Sequence, residues 1–172
     1  MAAWPDLTDY HEALQQPRRS FSDPALKEAA ILQDRFGMPK PATGGNAVVY
    51  KATHGKDVWA VRCFLRPITD HAERYAAISA HLAKAKVPYA TRFHYLADGI
   101  RVKQSAFPIV KMEWVQGALL DGHVEASLGR PRELADLRER WRALVRELER
   151  AKIAHGDLQH GNVLVQGKKL LL

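Results

Sequence analysis

The stretch that organises this chain runs from Ile153 to Val165 and reads IAHGDLQHGNVLV. A polar run lies in it between a long amphipathic segment and a short apolar segment. Within that run, Asp157 and Asn162 are five positions apart. Taken alone, the run is either a functional loop or a polar turn that holds an acid and an amide. The elements around it, and a second motif far upstream, favour the functional loop.

A helix and a hairpin are predicted on either side of this stretch. Between Pro131 and Ala151, apolar residues recur at intervals of three and four, which indicates one long amphipathic helix. Downstream, Val163–Val165 and Leu170–Leu172 flank a polar turn at 166–169 and are typical of a short hairpin. The apolar stripe of the helix consists of Leu134, Leu137, Trp141, Leu144, Val145 and Leu148.

The second motif lies between residues 41 and 65. Gly44 and Gly45 lead into a β-branched run, and a turn at 54–57 separates that run from a second strand at Val58–Leu65, so a hairpin is predicted. Glycines let backbone N–H groups approach phosphate oxygens, because no Cβ is in the way. Side chains alternate along a strand, so Ala60 and Arg62 are expected on one face.

The N-terminal segment is predicted to be a helical lead-in. Asp23 is a capping residue, and Pro24 is suited to the first helical position. We expect this helix to run through Phe36 and to stop at Gly37. It is expected to pack on the following lobe rather than to serve as a docking segment.

Three further elements are predicted between the two motifs. A helix at about 70–85 carries one internal acid, Glu73. Ala97–Gly99 reads as a hairpin turn between two short strands. Residues 107–117 read as a strand that stops at Gly117.

The order of these elements resembles the eukaryotic-like protein kinases of bacteria. The resemblance rests on a glycine turn, a strand cation, a hinge-like strand, a long helix and the Asp157 to Asn162 loop, and covers about residues 41–172. It implies an α+β, two-lobed kinase-like fold, with a complete β-rich N-lobe and part of a helical C-lobe. We therefore expect a lead-in at 1–40, an N-lobe with its hinge at 41–116, and a partial C-lobe at 117–172.

The resemblance also implies ligands and roles. ATP and Mg²⁺ would be bound, Asp157 would orient and deprotonate the acceptor hydroxyl, and Asn162 would hold Mg²⁺. Two residues depart from the family pattern: Arg62 replaces the phosphate-gripping Lys, and Gly156 stands where protein kinases usually carry Arg. Glu73 is the only candidate for the helix acid that pairs with that Lys. The remaining nucleotide-binding residues would be Gly44 and Gly45 over the phosphates, Val49, Ala60 and Leu164 around the adenine, Met112 as gatekeeper, and the backbone from Glu113 to Val115.

The complete form is expected to transfer a phosphoryl group from ATP to a protein Ser/Thr hydroxyl. The Mg²⁺-binding Asp of the DFG motif is expected about two or three positions beyond Leu172, so the chain as given is expected to be inactive. One alternative is a small-molecule phosphotransferase, because a His-Gly-Asp triplet like His155–Asp157 is common in aminoglycoside and choline kinases. Another is a non-catalytic pseudokinase, which the departure at Arg62 supports. A metal site on His155, Asp157 and His160 is the weakest alternative.

Composition and charge indicate which kinds of partner and which cellular location are expected. Lys and Arg number 26 against 19 Asp and Glu, which gives a net charge of +7. Both signs alternate between Arg130 and Arg150, which predicts a salt-bridged surface rather than a nucleic-acid or membrane partner. Cys63 is the only cysteine, so no intramolecular disulfide is possible. With no apolar run long enough to span a bilayer and no signal peptide, a cytoplasmic location is expected.

Overall fold

The computed structural model describes residues 3–43, 46–67 and 69–172. The chain divides into two compact units, one formed by Met1–Ser79 with Arg92–Trp114 and the other by Ala80–Thr91 with Val115–Leu172. Both contain helices and antiparallel strands, which confirms the predicted α+β class.

The first unit is built on a six-stranded antiparallel sheet. Its strands are β1 (Ala30–Ile31), β2 (Pro41–Thr43), β3 (Ala47–His54), β4 (Asp57–Phe64), β5 (Phe93–Val102) and β6 (Ser105–Glu113). The order is β1-β3-β4-β6-β5, and β2 pairs with β3 as well. The predicted hairpin of β3 and β4 is confirmed, with eight paired positions.

The helices of the lead-in are shorter than predicted. They are α1 (Leu7–Leu14), α2 (Pro17–Ser20) and α3 (Pro24–Lys27), and the fourth helix, α4, follows β4 at His71–Ala85. Asp23 caps α3 by accepting the Leu26 N–H at 3.0 Å, as expected. The prediction that this helix reaches Phe36 is wrong, because the chain leaves α3 to pair β1 with β3. Gly37, at φ 78°, lies in a later turn.

The lead-in packs on one face of the sheet, as expected. Leu26 and Tyr10 are fully buried there against strand residues such as Tyr50 and Val61. The Tyr10 hydroxyl and the Trp4 indole N–H both donate to the carbonyl of Phe64, at 2.8 and 2.6 Å. The N-terminal helices are therefore an integral part of the first unit.

The hairpin turn predicted at Ala97–Gly99 is wrong. β5 runs through these residues with an irregular register between Leu96 and Ile100. A Cβ on Gly99 would lie 2.3 Å from Ile109 Cγ1, so glycine is required for close packing rather than for a turn. The chain reverses instead at Lys103, whose φ is 55°.

The second unit joins a long helix to a small sheet. Its elements after the end of α4 are β7 (Ala118–Leu119), α5 (Leu120–Ala126), α6 (Pro131–Arg150), a 3₁₀ turn (His160–Asn162), β8 (Leu164–Gln166) and β9 (Lys169–Leu171). The sheet order is β7-β8-β9, all antiparallel. Leu144 and Leu148 of α6 are buried with Val165 and Leu170. The predicted long helix and C-terminal hairpin are thus confirmed.

A buried ion pair joins the lead-in to the sheet of the first unit. The Lys111 ammonium, on β6, donates to both carboxylate oxygens of Asp23, at 2.9 and 3.0 Å. It also lies 4.3 Å from the ring centroid of Trp59. Burial alone would raise the pKa of Asp23, but the hydrogen bonds from Lys111 and from the Leu26 N–H hold that pKa below its ordinary value of 3.8.

We predict that Asp23→Asn lowers the free energy of unfolding by about 3–5 kcal/mol, because it leaves the Lys111 ammonium buried without a carboxylate. Asparagine still caps a helix, so the loss reports the charge pair rather than the cap. Glu28→Gln is the matched control, because its pair with Arg18 is exposed and is expected to change stability by less than about 1 kcal/mol. Urea unfolding at neutral pH measures both.

The same ion pair predicts that the protein loses stability at acid pH. Because the pKa of Asp23 is lower in the folded state, the stabilisation is complete above its unfolded value of 3.8 and is lost as the pH falls through the folded value. Unfolding curves between neutral pH and pH 3 should therefore show a smaller acid-induced loss for Asp23→Asn than for the parent. Equal losses would contradict the buried pair.

Candidate functional site

The sheet face opposite the lead-in carries several of the residues that the kinase resemblance implies would surround a nucleotide. Ala60 lies opposite both Lys51 and Met112, and Arg62 lies opposite Val49. Directly opposed residues in antiparallel strands point to the same side of a sheet. Val49, Ala60, Arg62 and Met112 therefore share one face of the first unit.

Aromatic side chains close one end of this face. Tyr75 of α4 stacks on Tyr95 with ring centroids 5.2 Å apart and meets Phe93 edge-on at 5.6 Å. Phe64 is buried in the same cluster. Its ring centroid lies 5.9 Å from the Arg62 guanidinium, so this cluster supports the Arg62 end of the face.

Arg62 is an exposed cation on this face. Within residues 3–43, 46–67 and 69–172, no carboxylate forms an ion pair with its guanidinium. Glu73, the acid that the sequence offered as its partner, is exposed and is not paired with it. The described part of the chain therefore gives Arg62 no structural salt bridge, and its guanidinium donors are left for an anion.

The hinge-like segment is partly engaged within the sheet. The N–H of Glu113 donates to the carbonyl of Arg92 at 3.1 Å, and the N–H of Trp114 donates to the carbonyl of Val58 at 2.9 Å. The Glu113 carboxylate accepts from the Arg92 guanidinium at 3.3 Å. Val115 lies outside any strand, in the second unit. Two of the main-chain donors proposed to contact adenine are therefore already used.

The predicted glycine turn falls on Gly44 and Gly45, which lie outside the described residues. The strands before and after them are hydrogen-bonded partners, with Ala42 opposite Val49 and Thr43 opposite Val48. This register places Ala42 on the same face as Val49.

In the second unit, Asn162 closes the loop that begins at Asp157. Its Nδ2 donates to the Asp157 carbonyl at 2.9 Å and to Asp157 Oδ2 at 2.8 Å. Both side chains are exposed. Since both bonds use Nδ2, they leave Asn162 Oδ1 as an oxygen ligand, the kind that hard cations prefer. The acid and the amide that stood five positions apart in sequence are therefore adjacent in space.

Gly156 has a backbone reason to be glycine. Its φ is 78°, in the left-handed region, and a Cβ there would meet nothing within 4 Å. An L-residue would pay about 1–2 kcal/mol for this conformation. The departure from the kinase pattern at this position is thus tied to the path of the loop into Asp157.

Leu164 points away from the core of the second unit. It lies opposite Leu119 and Leu171 in the small sheet and is half-buried. Its neighbour Val165, on the other face, is buried with Leu170 in the α6 core. The second unit therefore presents a small apolar face around Leu164.

One contact to this loop has no local signal in the sequence. His160 Nδ1 lies 3.1 Å from Asp121 Oδ2, although the two residues are 39 positions apart. Asp121 sits in the first turn of α5, and the adjacent Leu120 N–H donates to the Val163 carbonyl at 3.0 Å. The sequence suggested His160 only as a ligand in the weakest alternative, a metal site, and no motif marks Asp121. The pair fastens the loop to α5.

Comparison with known proteins does not identify the chain. No protein-family model matches it, and no curated protein matches it at the level that would indicate common descent. Among the described residues, no group of three or more His, Cys, Asp or Glu side chains is arranged to hold a metal ion. Nor is any helix there long and apolar enough to cross a membrane.

We predict that Gly156→Ala costs about 1–2 kcal/mol of stability, because alanine is strained at φ 78° although its Cβ has room. Gly161→Ala is the matched control: it lies in the same loop, has equal room, and does not require a positive φ. Urea unfolding of both variants measures the difference. Equal stabilities would mean that the loop does not hold Gly156 in the left-handed region.

Proposed function

We propose that the chain is a protein kinase-like domain that binds ATP with Mg²⁺ and belongs to an enzyme that phosphorylates protein Ser/Thr hydroxyls. The two-lobed kinase fold is part of this proposal. One observation carries it: an exposed arginine without an ion pair among the described residues lies on the same sheet face as a small residue and two apolar residues. That set suits a triphosphate joined to a flat apolar ring.

The side chains on the sheet face would contact both the ring and the phosphates of a nucleotide. Ala60 contributes only a methyl group, which would suit a flat ring, while Val49 and Met112 offer half-buried apolar contacts. The forked guanidinium of Arg62 can donate to two phosphate oxygens at once. Arginine is longer and planar compared with the lysine of the family, so phosphate binding is expected to persist with a changed geometry.

The loop of the second unit would supply a metal ligand and the group that acts on the acceptor. Asn162 Oδ1 would ligate the Mg²⁺ that accompanies ATP. Asp157 accepts a hydrogen bond on Oδ2, and its carboxylate would orient the acceptor hydroxyl and take its proton. The bond between the two side chains would keep the acceptor group close to the metal ligand.

A small-molecule acceptor is the second candidate. The observation that favours it is Gly156, whose positive φ favours glycine at the middle position of the His155-Gly156-Asp157 triplet. Phosphorylation of an aminoglycoside or of choline, but not of a Ser/Thr protein, would select this candidate. Binding of Mg-ATP without transfer to either acceptor would select the pseudokinase.

We predict that Arg62→Gln weakens binding of Mg-ATP by about tenfold or more, because it removes charge-assisted hydrogen bonds to phosphate. Binding of adenosine, which has no phosphate, should not change. Lys56→Gln is the matched control, since Lys56 is an equally exposed cation in the β3–β4 turn. Isothermal titration of both ligands on the 172-residue chain measures these effects. If Arg62→Gln and Lys56→Gln bind Mg-ATP equally, Arg62 does not contact the phosphates.

A second prediction separates the metal ligand from the acceptor group. Asn162→Ala should reduce the gain in ATP affinity that Mg²⁺ provides, because it removes the amide oxygen. Asp157→Asn should leave Mg-ATP affinity nearly unchanged, since that carboxylate serves the acceptor. Titrations with and without Mg²⁺ measure both variants. An unchanged Mg²⁺ dependence in Asn162→Ala would remove this residue from the proposed site.

A further inference from the structure

Exposed apolar side chains are concentrated in one short segment of the first unit. Among the described residues, six large apolar side chains are exposed, and three of them lie within seven consecutive positions. Leu32 is 46% exposed, Phe36 is 74% exposed and Met38 is 37% exposed. Every residue from 32 to 38 is exposed, so the segment stands out from the unit. Such a concentration typically marks an interaction site.

This segment is an ordered hairpin, which we call the tip hairpin (residues 32–40). The Lys40 N–H donates to the Leu32 carbonyl and the Asp34 N–H to the Met38 carbonyl, each at 2.8 Å. The Asp34 carboxylate accepts the N–H groups of Phe36 and Met38, at 2.8 and 3.0 Å. Gly37, at φ 78°, completes the turn. The apolar side chains are therefore presented by a preformed backbone.

The charges of the tip hairpin are not balanced. Arg35 and Lys40 are its cations, and the Arg35 guanidinium lies 4.6 Å from the ring centroid of Phe36. Asp34 is its only acid, and the same carboxylate oxygen accepts both turn N–H groups. Neither cation forms an ion pair with a described carboxylate. An apolar tip flanked by free cations is complementary to a surface that is both apolar and anionic.

We propose that the tip hairpin attaches the protein to an anionic lipid surface. Phe36 enters the boundary between headgroups and acyl chains, with Leu32 and Met38 behind it. Arg35 and Lys40 contact the lipid phosphates, and the net charge of +7 attracts the whole chain to the surface. This peripheral contact needs no spanning helix and differs from the expectation, drawn from composition, that membranes are not partners.

The shape and charge of the hairpin favour lipid over other occupants. A projecting tip needs a concave, acid-rimmed pocket on a protein partner, whereas a lipid surface deforms around it. A second copy of the chain would bring the same cations face to face. The proposal is independent of nucleotide binding, so either can fail alone.

Cosedimentation with lipid vesicles tests the proposal. The 172-residue chain should bind vesicles of phosphatidylcholine with phosphatidylglycerol and should bind phosphatidylcholine alone much more weakly. Phe36→Ser should weaken binding to the anionic vesicles by about tenfold or more, since the main apolar contact is lost. Leu128→Ser is the matched control, because Leu128 is 69% exposed in a turn of the second unit.

The cations are tested separately. Arg35→Gln and Lys40→Gln should each weaken anionic binding by about fivefold. Arg132→Gln, an exposed α6 cation without an ion pair among the described residues, removes the same charge elsewhere and should have a smaller effect.

Two results would overturn the proposal. One is equal vesicle binding by Phe36→Ser and Leu128→Ser, or no vesicle binding at all. The other is concentration-dependent self-association, measured by analytical ultracentrifugation without lipid, that Phe36→Ser abolishes; a second copy of the chain would then be the occupant.

Discussion

The buried pair of Asp23 and Lys111 is the constraint on which the first unit depends. Taking two charges out of water is costly, and the cost is recovered only when their geometry is good and their remaining hydrogen bonds are made. Both conditions are met, since both Asp23 oxygens accept from Lys111 and Oδ1 also caps α3. The pair therefore adds little net stability beyond an apolar contact, but it excludes other placements of the lead-in, because any shift would leave two buried charges alone.

The rest of the lead-in follows from that placement. With α3 fixed over β6, Leu26 enters the core of the sheet and the preceding helices bring Tyr10 to the Phe64 carbonyl. The chain after α3 is then close enough to β3 to add β1 to the sheet. The cap and the ion pair thus set where the helix starts, and the pairing of β1 with β3 replaces its continuation beyond Lys27.

The predictions from sequence are confirmed where a regular spacing of apolar residues determines the secondary structure. β3, β4 and α6 have regular apolar patterns, and each formed as expected. The errors occurred where a partner distant in sequence decides. Gly99 reads as a turn residue, yet the nearness of Ile109 is what requires a glycine there. The chain reverses at Lys103 instead, where the backbone has a positive φ that a lysine does not predict.

The candidate site shows the same division. The shared face of Ala60 and Arg62 and the closeness of Asp157 to Asn162 follow from strand alternation and loop length, which sequence carries. The contact of Asp121 with His160 and the projecting tip hairpin depend on tertiary placement, for which the sequence holds no local pattern. Such features can be found only once the chain is folded.

The arginine at position 62 and the lack of a paired glutamate among the described residues are physically connected. In the kinase resemblance, a lysine is held in place by a helix glutamate, and a lysine without that partner loses both its position and part of its preference for the charged form. A guanidinium remains charged without a carboxylate, and its flat surface can be supported by an aromatic ring. None of the described carboxylates forms an ion pair with the Arg62 guanidinium. The ring centroid of Phe64 lies 5.9 Å from that guanidinium. An arginine supported by an aromatic ring therefore keeps a cation on this face where an unpaired lysine would be poorly held, so the absence of a paired glutamate among the described residues does not by itself argue against the proposed nucleotide binding.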